Sequence, residues 1–327
     1  MKRGRIILFL AVSLAALVIC PWIGVRNISP FDLMGDGNSL EARIFWQLRL
    51  PRVLMAWSAG ATFGVCGMVF QAMFRNPLAE PSLLGVSSGA ALGAAVAIHL
   101  GFAGSRSAAV TLPISAFLGA MASIAIISAF AQLVRSAKDA TLLLAGVAIS
   151  ALFSSLIMVL QYTGNASEAY RLLSWTMGGI NVVGTREGLQ AIPSLVIAVA
   201  LSMRYSTEMD LITFGDEIAS SRGVELERTR WIMFVGISVA IAIVVANCGP
   251  VAFLGLIAPH VARRAAGQRH FQLTILTAFV GGAALLICDT AARTLWAPAD
   301  LPVGIVVSFL GAPFFLWLLF VEMRCIR

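Results

Sequence analysis

Nine apolar stretches follow one another with little between them, near residues 6–25, 53–74, 83–101, 108–134, 140–163, 188–205, 231–249, 272–292 and 303–322. A helix rises about 1.5 Å per residue, so crossing a hydrocarbon core takes roughly 20 mostly apolar residues. A shorter stretch at 251–262 makes a tenth. The connections near 26–52, 164–187 and 204–230 are too short to enclose a core of their own. With 59% hydrophobic and only 12% charged residues, a soluble globular fold is excluded. The chain reads as one all-α transmembrane domain, 1–327, of about ten spans, with its function in the bundle and its loops.

The start, "MKRGR" then "IILFLAVSLAALVIC", has the charge order of a signal peptide. Its apolar run reaches Val25 with no small-x-small site after it, so it reads as a retained first span. The five cysteines, Cys20, Cys66, Cys248, Cys288 and Cys325, lie in or beside apolar spans without metal-ligand spacing and read as packing residues.

Ten spans with an inner N-terminus put 15 of the 23 basic residues on the cytoplasmic side, which obeys the positive-inside rule. Both termini and the segment 206–230 are then cytoplasmic. The net charge of +7 follows mostly from topology and is no sign of nucleic acid. Of the outer basic residues, Arg49 and Arg52 flank the proline of "LRLPR", and Arg293 ends the ninth span. They could anchor lipid headgroups, Arg293 could pair with Asp289 at i,i+4, or the three could form a docking patch for an acidic partner.

Within the bundle, Gly60 and Gly64, then Gly85, Gly89 and Gly93, recur at four-residue spacing, which lets helix backbones approach closely. "GVSSG" (85–89) matches the G-x-S-x-G of hydrolases, but that elbow needs a strand turning into a helix, and these residues open a membrane helix. In the fifth span Ser150, Ser154, Met158 and Gln161 share one helical face, either joining helices or lining a water-filled path. All Asp and Glu fall in loops or at span ends, with Asp289 nearest to being embedded. An ion-coupled transporter commonly keeps an embedded carboxylate, so that class loses weight. No G-x-x-x-x-G-K-[ST] loop exists, because neither Lys2 nor Lys138 follows a glycine. If transport is ATP-driven, another chain binds the ATP.

"GDEIASSRGVELERTR" (215–230) is dense with charge between two apolar stretches. Gly223 can end a short helix in a left-handed turn, Glu225 with Arg228 and Glu227 with Arg230 can pair at i,i+3, and two short helices with a sharp bend fit as well as a solvated loop.

The Glu-x-Ala-x-x-x-Gly pattern of Glu217, Ala219 and Gly223 resembles the ATPase-coupling loop of ABC importer permeases, with Ile218 where the wider pattern has alanine. From about residue 43 to 320 the chain resembles the FecCD-type permeases of ABC importers for ferric siderophores, haem and cobalamin. The blocks that carry this are "RLPR" (49–52), "FRNPLAEPSLLGVSSGAALGA" (74–94), "LLLAGVAIS" (142–150), "GPVAFLGLIAPHVAR" (249–263) and "DLPVGIVVSFLGAPFFLWLL" (300–319).

The resemblance implies the type II importer fold in a bacterial or archaeal cytoplasmic membrane. It implies a dimer with a second copy of the chain, two ATPase subunits on the cytoplasmic face carrying ATP and Mg, and a soluble binding protein on the outer face. The chain itself is then no enzyme and holds no cofactor or metal. Carried over by position, Asp216, Glu217, Ala219 and Gly223 belong to the coupling loop, and Arg49, Arg52 and Arg293 to binding-protein docking. Asn76 and Leu78, with Asp139, Ala140 and Thr141, fall at the cytoplasmic gate. Ser150, Ser154, Met158 and Gln161 line the translocation path. A ferric siderophore is the first expected cargo, then cobalamin and haem.

Overall fold

A computed structural model describes residues 2–26, 28–29, 39–80, 82, 85–102, 108–133 and 139–325. No strand occurs among the described residues. In chain order the helices are α1 (Lys2–Ile19), α2 (Leu40–Ile44), a π-helical turn (Phe45–Arg49), α3 (Leu50–Met73), α4 (Val86–His99), α5 (Ala108–Leu133), α6 (Asp139–Thr163) and α7 (Ala166–Thr176). They continue with α8 (Thr185–Gly188), α9 (Ile192–Arg204), α10 (Ser206–Thr213), α11 (Asp216–Ser221), α12 (Leu226–Cys248), α13 (Leu254–Ala266), α14 (His270–Leu295) and α15 (Val303–Cys325).

The centre is α3, buried along nearly its whole length and packed against α9, α12, α13 and α14. Glycine makes this possible. A methyl group on Gly60 would run into the Gly281 carbonyl of α14, and one on Gly67 into Gly255 of α13. The Gly89 side of α4 meets α5 in the same way, where an added carbon would lie 2.6 Å from the Gly119 carbonyl oxygen. Lipid tails are as apolar as leucine, so such contacts gain van der Waals packing instead of hydrophobic burial. Buried hydroxyl pairs complete the seams: Thr62 with Ser194 at 3.2 Å, and Ser202 with Thr274 at 2.7 Å.

Each of the ten apolar stretches contains a helix among its described residues, but they are unequal. Among the described residues five helices are long and apolar enough to cross alone: Leu40–Met73, Val110–Phe130, Leu144–Thr163, Leu226–Cys248 and His270–Leu295. Thr185–Arg204 with Ser206–Thr213, bent by 62°, makes a sixth if taken as one span. Gly4–Ile19, Val86–His99 and Val303–Leu318 are apolar but shorter. The 13 residues of α13 rise only about 20 Å. The short helices adjoin non-helical backbone buried in protein at Gly85 and Val251, the setting in which such backbone is tolerated in membrane proteins. This is a multi-pass membrane protein.

The four described cysteines are free, three of them buried, and Cys325 has its side chain outside the described residues.

Candidate functional site

The charged candidates Arg49, Arg52 and Arg293 gather at the start of α3, and Asp216 reaches the turn that follows its end. At its start, Pro51 stands in the first turn, where no backbone N–H is needed, with Arg49 and Arg52 on either side. The Arg52 guanidinium is held by two carboxylates. Its Nε donates to both oxygens of Asp289, at 3.0 Å each, and Nη2 donates to Asp289 Oδ1 at 2.9 Å. On its other edge Nη1 and Nη2 donate to the two oxygens of Asp300, at 2.8 and 3.1 Å. The Asp289 side chain is fully enclosed, whereas that of Asp300 is 50% exposed.

Arg293, one turn beyond Asp289 on α14, donates to the Cys20 carbonyl at 2.7 Å. Its Nε stands 4.0 Å from Asp289, so the i,i+4 pair exists but is loose. Arg49 is only 6% exposed and donates to the carbonyls of Pro21, Trp22 and Arg26. It fastens segment 21–26 to the head of α3. The three arginines therefore do converge, but their guanidinium groups turn into the protein, neither to lipid nor freely to solvent. A charged group at low dielectric takes up every acceptor within reach, because an unpaired one is costly.

At the other end, α11 follows Gly215 (φ 122°) and stops as the sequence predicts. Gly223 (φ 84°) donates its N–H to Ser220 at 2.9 Å, and Val224 donates to Ala219 at 3.1 Å, the hydrogen-bond pattern of a glycine-terminated helix. Ala219 is buried, while Phe214 at the end of α10 (71% exposed), Ile218 of α11 (48% exposed) and Glu217 are exposed. Glu225 and Arg228 pair at 3.4 Å, both exposed and so of little energetic weight.

Asp216 makes the connection that sequence alone did not indicate. It accepts from Arg230 Nη2 at 2.9 Å and lies 3.5 Å from Arg75 Nη1. Arg75 has φ 46°, a left-handed conformation that costs a non-glycine residue, and precedes Asn76. Asn76 in turn accepts the Leu78 N–H at 2.9 Å, fixing the turn, and both residues are half-buried. Asp139, Ala140 and Thr141 open α6, but their side chains lie outside the described residues.

Two acids are more enclosed than their sequence positions suggest. Asp289 is one, neutralised by arginine. The other is Glu80, 9% exposed in the connection after α3. Burial pushes its carboxyl up to about 7, against hydrogen bonds from the Phe253 N–H and the Ser82 hydroxyl. Position in sequence gave no signal for Glu80, since "LAEPS" reads as an ordinary polar loop.

The α6 stripe divides along its length. Ser150 accepts a bond from Ser88 of α4 at 3.2 Å, Ser154 and Met158 are exposed, and Gln161 is half-buried beside His99 and Glu168. The face around them is uncovered in a single chain, with Leu144, Leu152, Val159 and Tyr162 all exposed. "GVSSG" opens α4 through left-handed Gly85, with no strand before it among the described residues, which removes the hydrolase elbow. No group of three or more His, Cys, Asp or Glu suited to a metal occurs among the described residues.

The sequence matches the profile of the FecCD transport family over residues 7–321. The chain belongs to this family. The iron(3+)-hydroxamate import system permease protein FhuG of Bacillus subtilis (strain 168) is 32% identical over 335 residues, covering 97% of this chain and 98% of that protein. The cobalamin import system permease protein BtuC of Halobacterium salinarum is 36% identical over 272 residues, covering 83% of this chain and 72% of that protein. A solved metal-chelate type ABC transporter in an inward-facing conformation superposes with a TM-score of 0.85 at 29% identity, over 98% of this chain and 99% of that one. The fold is thus that of an ABC transporter permease of the metal-chelate type.

Proposed function

We propose that this chain is the permease of an ATP-driven importer that carries a metal chelate inward across a bacterial or archaeal cytoplasmic membrane. A ferric siderophore is the first assignment, supported by the full-length similarity to an iron(3+)-hydroxamate permease. Cobalamin is the second, on the similarity to a cobalamin permease, and haem the third. The chain works with a second copy of itself, with two ATPase subunits that hold ATP and Mg, and with a soluble binding protein on the outer face. Both termini face the cytoplasm, and no chemistry on the cargo is assigned to this chain.

The observation that carries this reading is the link from α11 to the gate. Phe214 and Ile218 offer an ATPase an apolar footing on an otherwise charged loop. Asp216, in α11 with Ile218, reaches both Arg230 at the foot of α12 and Arg75 beside Asn76. A push on α11 is then delivered to the turn that holds Leu78. ATP-driven closure of the ATPases shifts the permease pair between outward-open and inward-open states through this contact. The α6 face with Ser154 and Met158 gives the cargo weak contacts, so that it leaves as readily as it enters.

The test is purification of the tagged chain from its native membrane with identification by mass spectrometry of what accompanies it. An ATPase in equal amount supports the class, and the cargo of the accompanying binding protein names the substrate. Recovery of the chain alone, under conditions that keep other ABC complexes together, would sink the reading in favour of gradient-driven transport. Within the complex, Glu217→Arg and Gly223→Pro should each separate ATP hydrolysis from transport while the bundle stays folded. An unchanged ratio of transport to hydrolysis in both removes the coupling role from 215–230.

A further inference from the structure

Arg52 presents two edges with different prospects. The Nε and Nη2 edge is clamped by Asp289, a side chain with no exposed surface, on the neighbouring helix α14. That clamp fixes the rotamer whatever happens outside. The Nη1 and Nη2 edge is held by Asp300, whose side chain is half exposed, in a bidentate contact at 2.8 and 3.1 Å. Asp300 belongs to the α14–α15 connection, in which residues 295–300 are all exposed. Moving it uncovers little apolar surface, and its own side chain is already half in water.

We infer that Asp300 is an internal stand-in for a partner's carboxylate: it occupies the outward edge of Arg52, and an acidic protein docking on this face must displace it. This rests on the reading of the Arg49, Arg52 and Arg293 face as the docking face, and adds to it the group that sets the affinity. The geometry suits exchange, because a planar guanidinium accepts one carboxylate in place of another without changing shape. It also makes docking selective. A partner gains only the difference between its own carboxylate and Asp300, so an isolated surface acid gains little, while a partner with further contacts gains enough to compete.

The purified chain in nanodiscs is titrated with fluorescein-labelled octaglutamate at low salt, as wild type, Asp300→Asn and Glu41→Gln. The Glu41→Gln variant removes one negative charge from an acid that pairs with Arg26 at 2.6 Å and leaves Arg52 held, so it measures the effect of net charge alone. Asp300→Asn should bind the peptide about fivefold tighter than wild type and clearly tighter than Glu41→Gln, with the gain shrinking at high salt. Phenylglyoxal modification of Arg52, followed by peptide mass spectrometry, should speed up in Asp300→Asn and slow again when octaglutamate is added. An affinity gain no larger than that of Glu41→Gln, or an Arg52 modification rate equal to wild type, overturns the inference. If no binding protein accompanies the native complex, the docking reading fails separately, and the peptide result still reports what Asp300 does to Arg52.

Discussion

The two ends of α3 each carry a cluster of arginine and aspartate, and they are built in opposite ways. At the head, Arg52, Arg293 and Asp289 are withdrawn from water, and the carboxylate is fully enclosed. At the foot, Arg75, Asp216 and Arg230 remain between 24% and 41% exposed, and one distance is as long as 3.5 Å. The same chemistry is a fastening in the first place and, under the function proposed above, a linkage in the second. Enclosure raises the cost of breaking a pair, because the group left behind keeps its charge without water. Exposure lowers that cost to almost nothing and lets the pair re-form each cycle.

Asp289→Ala should show the largest effect. It leaves two buried guanidinium groups short of their shared carboxylate, and breaking such a pair costs about 3–5 kcal/mol. Fluorescence-detected size-exclusion after heating should show a fall in Tm of many degrees and a low yield of folded protein. A Tm within a degree of wild type would mean that the head cluster is no fastening.

Glu80→Gln probes a buried carboxylate that takes its bonds from a backbone N–H and a hydroxyl instead of arginine. Its pKa is raised from 4.5 to about 7, so the folded state favours the protonated acid. Wild-type stability is then fully present below about pH 4.5 and is lost as pH rises toward and past 7, by on the order of 3 kcal/mol. Thermal unfolding at pH 5.5 and pH 8 should show the wild type losing more stability than Glu80→Gln over that interval. Equal losses would count against burial as the cause.

Asp216→Asn should change Tm by less than about 1 kcal/mol equivalent, since its pairs are exposed. The ratio of transport to ATP hydrolysis in the purified complex should nevertheless fall several-fold. Lost stability with intact coupling would reverse the contrast between the two ends.

Arg75→Gly should be the mildest in stability. Relief of the left-handed backbone offsets the lost ion pair to within about 1 kcal/mol. Its coupling defect should match that of Asp216→Asn, because both cut the same contact. A coupling ratio equal to wild type would show that the gate is driven from elsewhere.

The helices were legible because a 20-residue apolar run has few alternatives, and Gly60, Gly89 and Gly93 announced the close contacts that they make. Gly223 was legible for a similar reason, as a left-handed position needs little beyond the local sequence. The charge clusters were not. Arg52 and Asp300 are 248 residues apart, and Arg75 follows α3 while Asp216 opens α11, so only the fold brings them together. Sequence marked Arg49 as an outer basic residue but could not tell that it turns back on residues 21–26. Unequal span lengths escaped for another reason: hydropathy registers apolar content and cannot tell helix from buried extended chain, as at Val251.

Where Gly60 meets Gly281 and Gly67 meets Gly255, peptide backbones touch with no side chain between them. Side chains can change rotamer and so absorb sliding, but a peptide plane cannot. Helices α3, α13 and α14 are therefore locked together where their backbones touch, with little room to slide past one another. The motion of a transport cycle is left to whatever borders these three helices, above all the sparsely covered α6 and the bent junction of α9 with α10. Glycine, usually the residue that loosens a chain, is here what divides the molecule into frame and moving part.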